Sequence, residues 1–127
     1  MEHVYMVVLL ALIEYMVFGA LVGRARNKYN VKAPAVSGPE AFDRTFRVHQ
    51  NTLEFLIVFI PAIVLFGRYQ SANIAALIGL VAIVGRAIYA IGYIKASDKR
   101  GLGAMISGIA SAVLVVGALT GVIAAVL

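Results

Sequence analysis

Four long apolar blocks decide what this chain can become. They read VYMVVLLALIEYMVFGALV (4–22), FLIVFIPAIVLFG (55–67), NIAALIGLVAIVGRAIYAIGYI (73–94) and LGAMISGIASAVLVVGALTGVIAAVL (102–127). A helix rises about 1.5 Å per residue, so about 20 apolar residues cross the ~30 Å hydrocarbon layer of a bilayer. Blocks one, three and four reach that length unaided, and block two reaches it once the polar residues before it join the helix. Only 13% of the residues are charged, against about a quarter in a soluble domain. The expectation is an all-α integral membrane protein, one domain over 1–127 built as a four-transmembrane-helix bundle. No soluble domain and no nucleic-acid partner are expected.

The first block reads as a retained span rather than a cleavable signal. It carries Glu14 at its centre, has no basic residue before it and lacks a small-x-small site near its end. The absence of cysteine excludes a disulfide, a thiolate metal site and a protein thiol nucleophile. Any sulfur chemistry must come from a substrate. His49 has no second His or Cys at ligand spacing, so no metal is expected.

The net charge of +5 matters through its placement. Arg24, Arg26, Lys28, Lys32, Arg44 and Arg47 fall between the first two blocks or just inside the second helix, and Lys95, Lys99 and Arg100 lie between the last two. The middle connection has Arg68 alone. Basic short loops stay cytoplasmic, so loops one and three should face the cytosol and both termini the opposite side. The segment 23–44 reads as the long first loop. Within it, Ser37-Gly-Pro-Glu40 has the form of a capping box. The second helix is then expected from about Ser37 to Gly67, roughly 45 Å long, with its first turns at or beyond the membrane surface. Along the last block, Ala104, Gly108 and Ala112, then Gly117 and Gly121, give small-xxx-small spacing suited to close helix packing.

The puzzle is RVHQNTLEF (47–55), where a membrane helix opens on polar groups. Residues three and four apart share a helix face, so Arg47, Asn51 and Glu54 form one stripe. Arg86, Tyr89 and Tyr93 form a second in the third helix, ending at the same side, and Arg100 follows at once. Charge facing lipid near the bilayer centre costs about 2.5 kcal/mol or more, so these stripes should face the bundle interior or a wet cavity. Arg24, Arg26, Arg47, Arg86 and Arg100 outnumber Glu14 and Glu54. That excess suits a ligand with more than one carboxylate and one amine. Arg86 is expected to pair with Glu14, with Glu54 as the competing partner.

FDRTFRVHQNTLEF (42–55), followed by GRAIYAIGY (85–93) and Lys99-Arg100, resembles the MAPEG family, the membrane-associated proteins of eicosanoid and glutathione metabolism. The likeness extends over nearly the whole chain. It implies a homotrimer of four-helix subunits with glutathione sites between neighbours, open to the cytosol. By matching position, Arg26, Arg47, His49, Asn51, Glu54, Tyr89 and Tyr93 would bind glutathione as co-substrate. Arg100, with Tyr93, would favour the thiolate, and apolar helix walls would hold a lipophilic electrophile arriving from the membrane lipids. Phe55 and Asn27 depart from the pattern, where some relatives carry Tyr and a second Arg. The implied activity is glutathione conjugation, with lipid hydroperoxide reduction as a related outcome. Two other readings stay open: a non-catalytic member that binds lipids or partners, and a small four-helix multidrug exporter that exchanges protons for cationic drugs at Glu14.

Overall fold

The computed structural model describes residues 1–127, Ser97 by its backbone alone. The apolar blocks become α1 (Glu2–Tyr29), α2 (Glu40–Tyr69), α3 (Ala72–Lys95) and α4 (Gly101–Val126), and a short 3-10 turn (Ser97–Lys99) joins the last two. All four helices are long and apolar enough to cross a membrane. Helices α2 and α3 form the middle of the bundle, since α1 and α4 each pack against both of them. The antiparallel course brings the end of α1, the start of α2, the end of α3 and the start of α4 to one end. We call this the polar end, and the other the apolar end.

The apolar end is a packed hydrophobic core. Val4, Val7, Phe59, Ile63, Ala75, Ala82 and Leu114 pack there as one cluster. Packing and backbone approach hold helices together in lipid, and Gly79 shows the tightness required. A Cβ on Gly79 would lie 2.5 Å from Ile63 Cδ1 and 2.6 Å from Val7 Cγ1. The α2–α3 connection is only Gln70–Ser71. Ser71 caps α3 by accepting from the Ile74 N–H at 3.2 Å. Gln70 Nε2 donates to the Gly117 carbonyl at 2.8 Å and to Thr120 Oγ1 at 3.0 Å, tying that turn to α4.

Three expectations about the elements need correction. Helix α1 does not end near Gly23 but runs on to Tyr29, so Arg24, Arg26 and Lys28 are helical and the loop shrinks to 30–39. The extension is held from outside the helix. Arg26 Nη1 donates to the Ala35 carbonyl at 2.7 Å, Val22, Ala25, Val31 and Phe42 pack together, and Asn30 closes the helix in a left-handed turn at φ 56°. Asparagine tolerates that conformation better than most residues.

The capping box does not form either. Helix α2 starts at Glu40 behind Pro39. Asp43 takes the loop donors in place of Ser37 and Glu40, accepting from the Gly38 N–H at 2.9 Å and the Ser37 hydroxyl at 3.4 Å. Glu40 turns instead to Arg44, one turn on, at 2.8 Å. A guanidinium there outcompetes a loop amide for the carboxylate.

In the first half of α4 the fully packed stripe is Gly103, Ser107 and Ser111 rather than Ala104, Gly108 and Ala112, of which Ala104 alone is partly buried. Further on, Gly117 and Gly121 do lie on the packed face, against Phe66 and Tyr69. A Cβ at Gly103 would fall on the backbone of Tyr89, whereas one at Gly108 would meet nothing. Both stripes have the same spacing. Only the partner surface on α3 selects between them.

Candidate functional site

At the polar end a cleft of about 380 Å³ opens between α2, α3 and the start of α4. That is within the usual range for a small-ligand site. Arg47, Asn51 and Glu54 form its α2 wall, Tyr89 and Tyr93 its α3 wall, and Arg100 its edge. The helical spacing that placed the two stripes on single faces thus also turns those faces toward each other. Asp43, Phe46 and Gln50 complete the α2 side, with Val36 and Ser37 from the loop. Gln50, one residue before Asn51, escaped the sequence argument because it lies outside the three-and-four spacing.

The edge of the cleft is set by a close fold-back. A Cβ on Gly92 would collide with the Lys99 carbonyl, so glycine there lets the 3-10 turn lie directly on the end of α3. The turn delivers Arg100 onto Tyr93. Its Nη1 donates to Tyr93 Oη at 3.4 Å, and the guanidinium carbon stands 5.3 Å from the ring centroid. Arg44 braces the opposite side of this junction, with its Nε donating to the Ile94 carbonyl at 3.2 Å.

The charges lining the cleft are available. The ion pairs among the described residues are Met1 with Glu2 and Arg44 with Glu40. Arg47, Glu54 and Arg100 are therefore not neutralised by one another, and all three are exposed. Two guanidinium groups, which bind carboxylates bidentately, thus border the same space as two carboxylates: Asp43, already accepting from the Gly38 N–H and the Ser37 hydroxyl, and Glu54, which is free to take an ammonium.

Arg86 lies just beneath this surface and is buried. The expected ion pair with Glu14 is absent, and so is one with Glu54. The guanidinium is held instead by neutral oxygens of Asn51, Thr52 and Ser107. Thr52 and Ser107 were invisible to the charge argument because they carry none. What marks them is their place on buried faces of α2 and α4.

Two of the expected site residues stand elsewhere. Arg26 borders a separate recess with Asn27, Asn30 and Lys32, and its guanidinium lies 5.4 Å from the Phe42 ring. His49 faces α1, where it stacks on Tyr15 at 4.4 Å between centroids. Gly19 makes room for it, because a Cβ there would approach His49 Nε2 to 3.1 Å. Neither lines the cleft. Among the described residues no group of three or more His, Cys, Asp or Glu is placed to hold a metal.

Comparison with known proteins covers the same span as the bundle. A family model described as the MAPEG family matches residues 4–120. An uncharacterized protein of Synechocystis is 46% identical over 114 residues, covering 90% of this chain and 83% of that protein. Human microsomal glutathione S-transferase 2 is 43% identical over 103 residues, covering 80% of this chain and 70% of its own. Leukotriene C4 synthase of Cavia porcellus is 33% identical over 94 residues, covering 74% and 63% respectively.

Proposed function

The chain belongs to the MAPEG family, and from that premise we propose that it is a membrane glutathione transferase whose site is the cleft at the polar end. The observation that carries this reading is the gathering of Arg47, Asn51, Glu54, Tyr89, Tyr93 and Arg100 around one opening. Glutathione has two carboxylates, one ammonium and one thiol. Arg47 and Asn51 supply donors for carboxylate oxygens, and Glu54 supplies the counter-charge for the ammonium. Arg100 and the Tyr93 hydroxyl then stand together for the sulfur.

A cysteine-type thiol has an ordinary pKa near 8.5, so only a few per cent is thiolate at neutral pH. A guanidinium and a phenolic O–H beside the sulfur both favour the charged form. The S–H proton leaves to solvent, and the thiolate sulfur forms a bond to the electrophilic carbon of a lipophilic substrate. That carbon either expels its leaving group or opens its ring. With a lipid hydroperoxide, the thiolate attacks the terminal peroxide oxygen and releases the alcohol. A second glutathione thiolate then displaces hydroxide from the resulting sulfenic acid to give the disulfide, and the two protons given up by the thiols return from solvent to make the alcohol and water.

The site is completed by assembly. Arg26 borders a recess outside its own cleft, so in a homotrimer it would close the cleft of a neighbouring subunit, while His49 stays packed on Tyr15 of its own α1. The basic residues at the end of α1 and around the α3–α4 turn favour the cytosolic side for this end, where glutathione is available, while the electrophile enters from lipid. The test is conjugation of a generic aryl halide, and reduction of an organic hydroperoxide, by detergent-purified protein. Glutathione-dependent turnover of either is the expected result, and turnover of neither overturns the assignment.

A further inference from the structure

Arg86 is the most deeply buried charge in the chain, 3% exposed. Its Nη2 donates to Asn51 Oδ1 and to Thr52 Oγ1, both at 2.8 Å, and its Nη1 donates to Ser107 Oγ at 3.4 Å. The Thr52 and Ser107 hydroxyls send their own hydrogens to the carbonyls of Val48 and Gly103, at 2.8 and 3.1 Å. Each hydroxyl is thus fixed as an acceptor toward Arg86. The rings of Phe55 and Tyr89 lie 5.0 and 4.3 Å from its guanidinium carbon and hold it between them. Nε is buried with no partner. The side chain has no room to turn.

This immobility decides the orientation of Asn51. The two ends of an Asn side chain have nearly the same shape, so an unconstrained Asn can present either oxygen or NH2 to a ligand. A guanidinium has donors and no acceptor, so only the oxygen of Asn51 can face Arg86. The NH2 group must then point the other way, and Asn51 is a wall of the cleft.

We propose that Arg86 is a positioning residue that locks the Asn51 amide with its donors toward the cleft, making this point of the site select a ligand carboxylate over a carboxamide. The proposal rests on the reading of the cleft as a glutathione site and adds how one carboxylate is chosen. Arg86 itself touches no substrate. It acts through Asn51, and the buried hydroxyls of Thr52 and Ser107 hold it in register.

The test compares glutathione with its two mono-carboxamide analogues by titration of the detergent-purified protein. The parent should prefer glutathione over one of the two amides by about tenfold, as expected for one charge-assisted hydrogen bond. Asn51→Asp keeps a partner for Arg86, so its thermal midpoint should hold, but it turns an acceptor-only carboxylate to the cleft. Its preference should reverse, with that amide now binding better than glutathione. In Arg86→Gln the preference should fall toward equality, and Arg86→Lys, which keeps a donor toward Asn51, should restore part of it.

A merely structural Arg86 would change stability and leave the acid-to-amide ratio alone. If Arg86→Gln does not fold, Arg86→Lys decides: a preference weakened from the parent's supports the lock, and the parent's full ratio overturns it, while Asn51→Asp tests that position 51 meets the carboxylate. An Asn51→Asp variant that keeps the parent's preference, or that binds glutathione more tightly than the parent, overturns the proposal. Failure of the glutathione reading shows separately, as a parent that binds none of the three peptides, and it removes the carboxylate assignment as well.

Discussion

At the apolar end, Ile63 and Val7 close over Gly79, and the helices are held by shape. At the polar end, Arg86 gathers oxygens from α2 and α4, and the same helices are held by hydrogen bonds around a charge. In lipid, apolar side chains gain little by leaving the solvent, so the first mode depends on contact quality. The second mode leaves a cationic floor beneath an open cleft, because no carboxylate pairs with Arg86 among the described residues. One end is closed by packing, and the other leaves a guanidinium beneath an open cleft. Phe55 links them, stacking on Phe59 at 4.9 Å and lying against Arg86.

The division can be broken most severely at its apolar half. Gly79→Leu places atoms where Ile63 and Val7 already stand, an overpacking cost of about 3 kcal/mol or more. The yield of folded protein and its thermal midpoint in detergent should drop sharply, while glutathione affinity of the folded fraction stays at the parent value. A proportionate loss of affinity would show that the two ends are not separable.

Glu54→Gln is the reciprocal change. The amide is nearly isosteric and Glu54 is exposed with no ion pair, so the thermal midpoint should not move. Glutathione binding should weaken by about 1.5–3 kcal/mol, the worth of a charged hydrogen bond. Unchanged affinity by calorimetry would take Glu54 out of the site.

The legibility of the sequence divides along the same line. The four spans and the two facing stripes could be read, because length and the spacing of polar residues are unambiguous in an apolar background. Asn51 and Glu54 stand out in α2 for that reason. The packed face of α4 could not be read, since Ala104-Gly108-Ala112 and Gly103-Ser107-Ser111 have equal spacing and only Tyr89 and Gly85 across the interface distinguish them. The end of α1 was hidden because Arg26 is held by a loop carbonyl nine residues on. The partners of Arg86 were misjudged because counting charges ignores hydroxyls and amides, which can together satisfy a guanidinium.

Arg100→Ala should have an intermediate effect, confined to chemistry. Glutathione should still bind through Arg47, Asn51 and Glu54, but loss of one pKa unit of thiolate stabilisation corresponds to about 1.4 kcal/mol, or tenfold. A bound thiol whose pKa lies below its free value keeps its thiolate at neutral pH. Once that shift is lost, the rate at pH 7 falls and recovers as pH rises through about 8.5, the ordinary thiol value. A pH–rate profile superimposable on the parent's would move the activating role to the Tyr93 hydroxyl.

The smallest effect tests assembly. A Cβ on Gly108 meets nothing within its own subunit, and Gly→Ala inside a helix gains about 0.5–1 kcal/mol from backbone entropy. A slight rise in thermal midpoint is expected for Gly108→Ala if this face meets lipid. A fall, accompanied by dissociation in light scattering, would place α4 in the subunit interface instead.

The account stands most directly on the ionisation of bound glutathione. Titrating detergent-purified protein with glutathione at pH 7 while following ultraviolet thiolate absorbance should give a saturable signal, with released protons appearing in an unbuffered sample. The same titration with S-methyl glutathione should give binding without absorbance. Saturable binding with no thiolate from glutathione itself would contradict activation at Arg100 and Tyr93, and the absence of any binding would contradict the site.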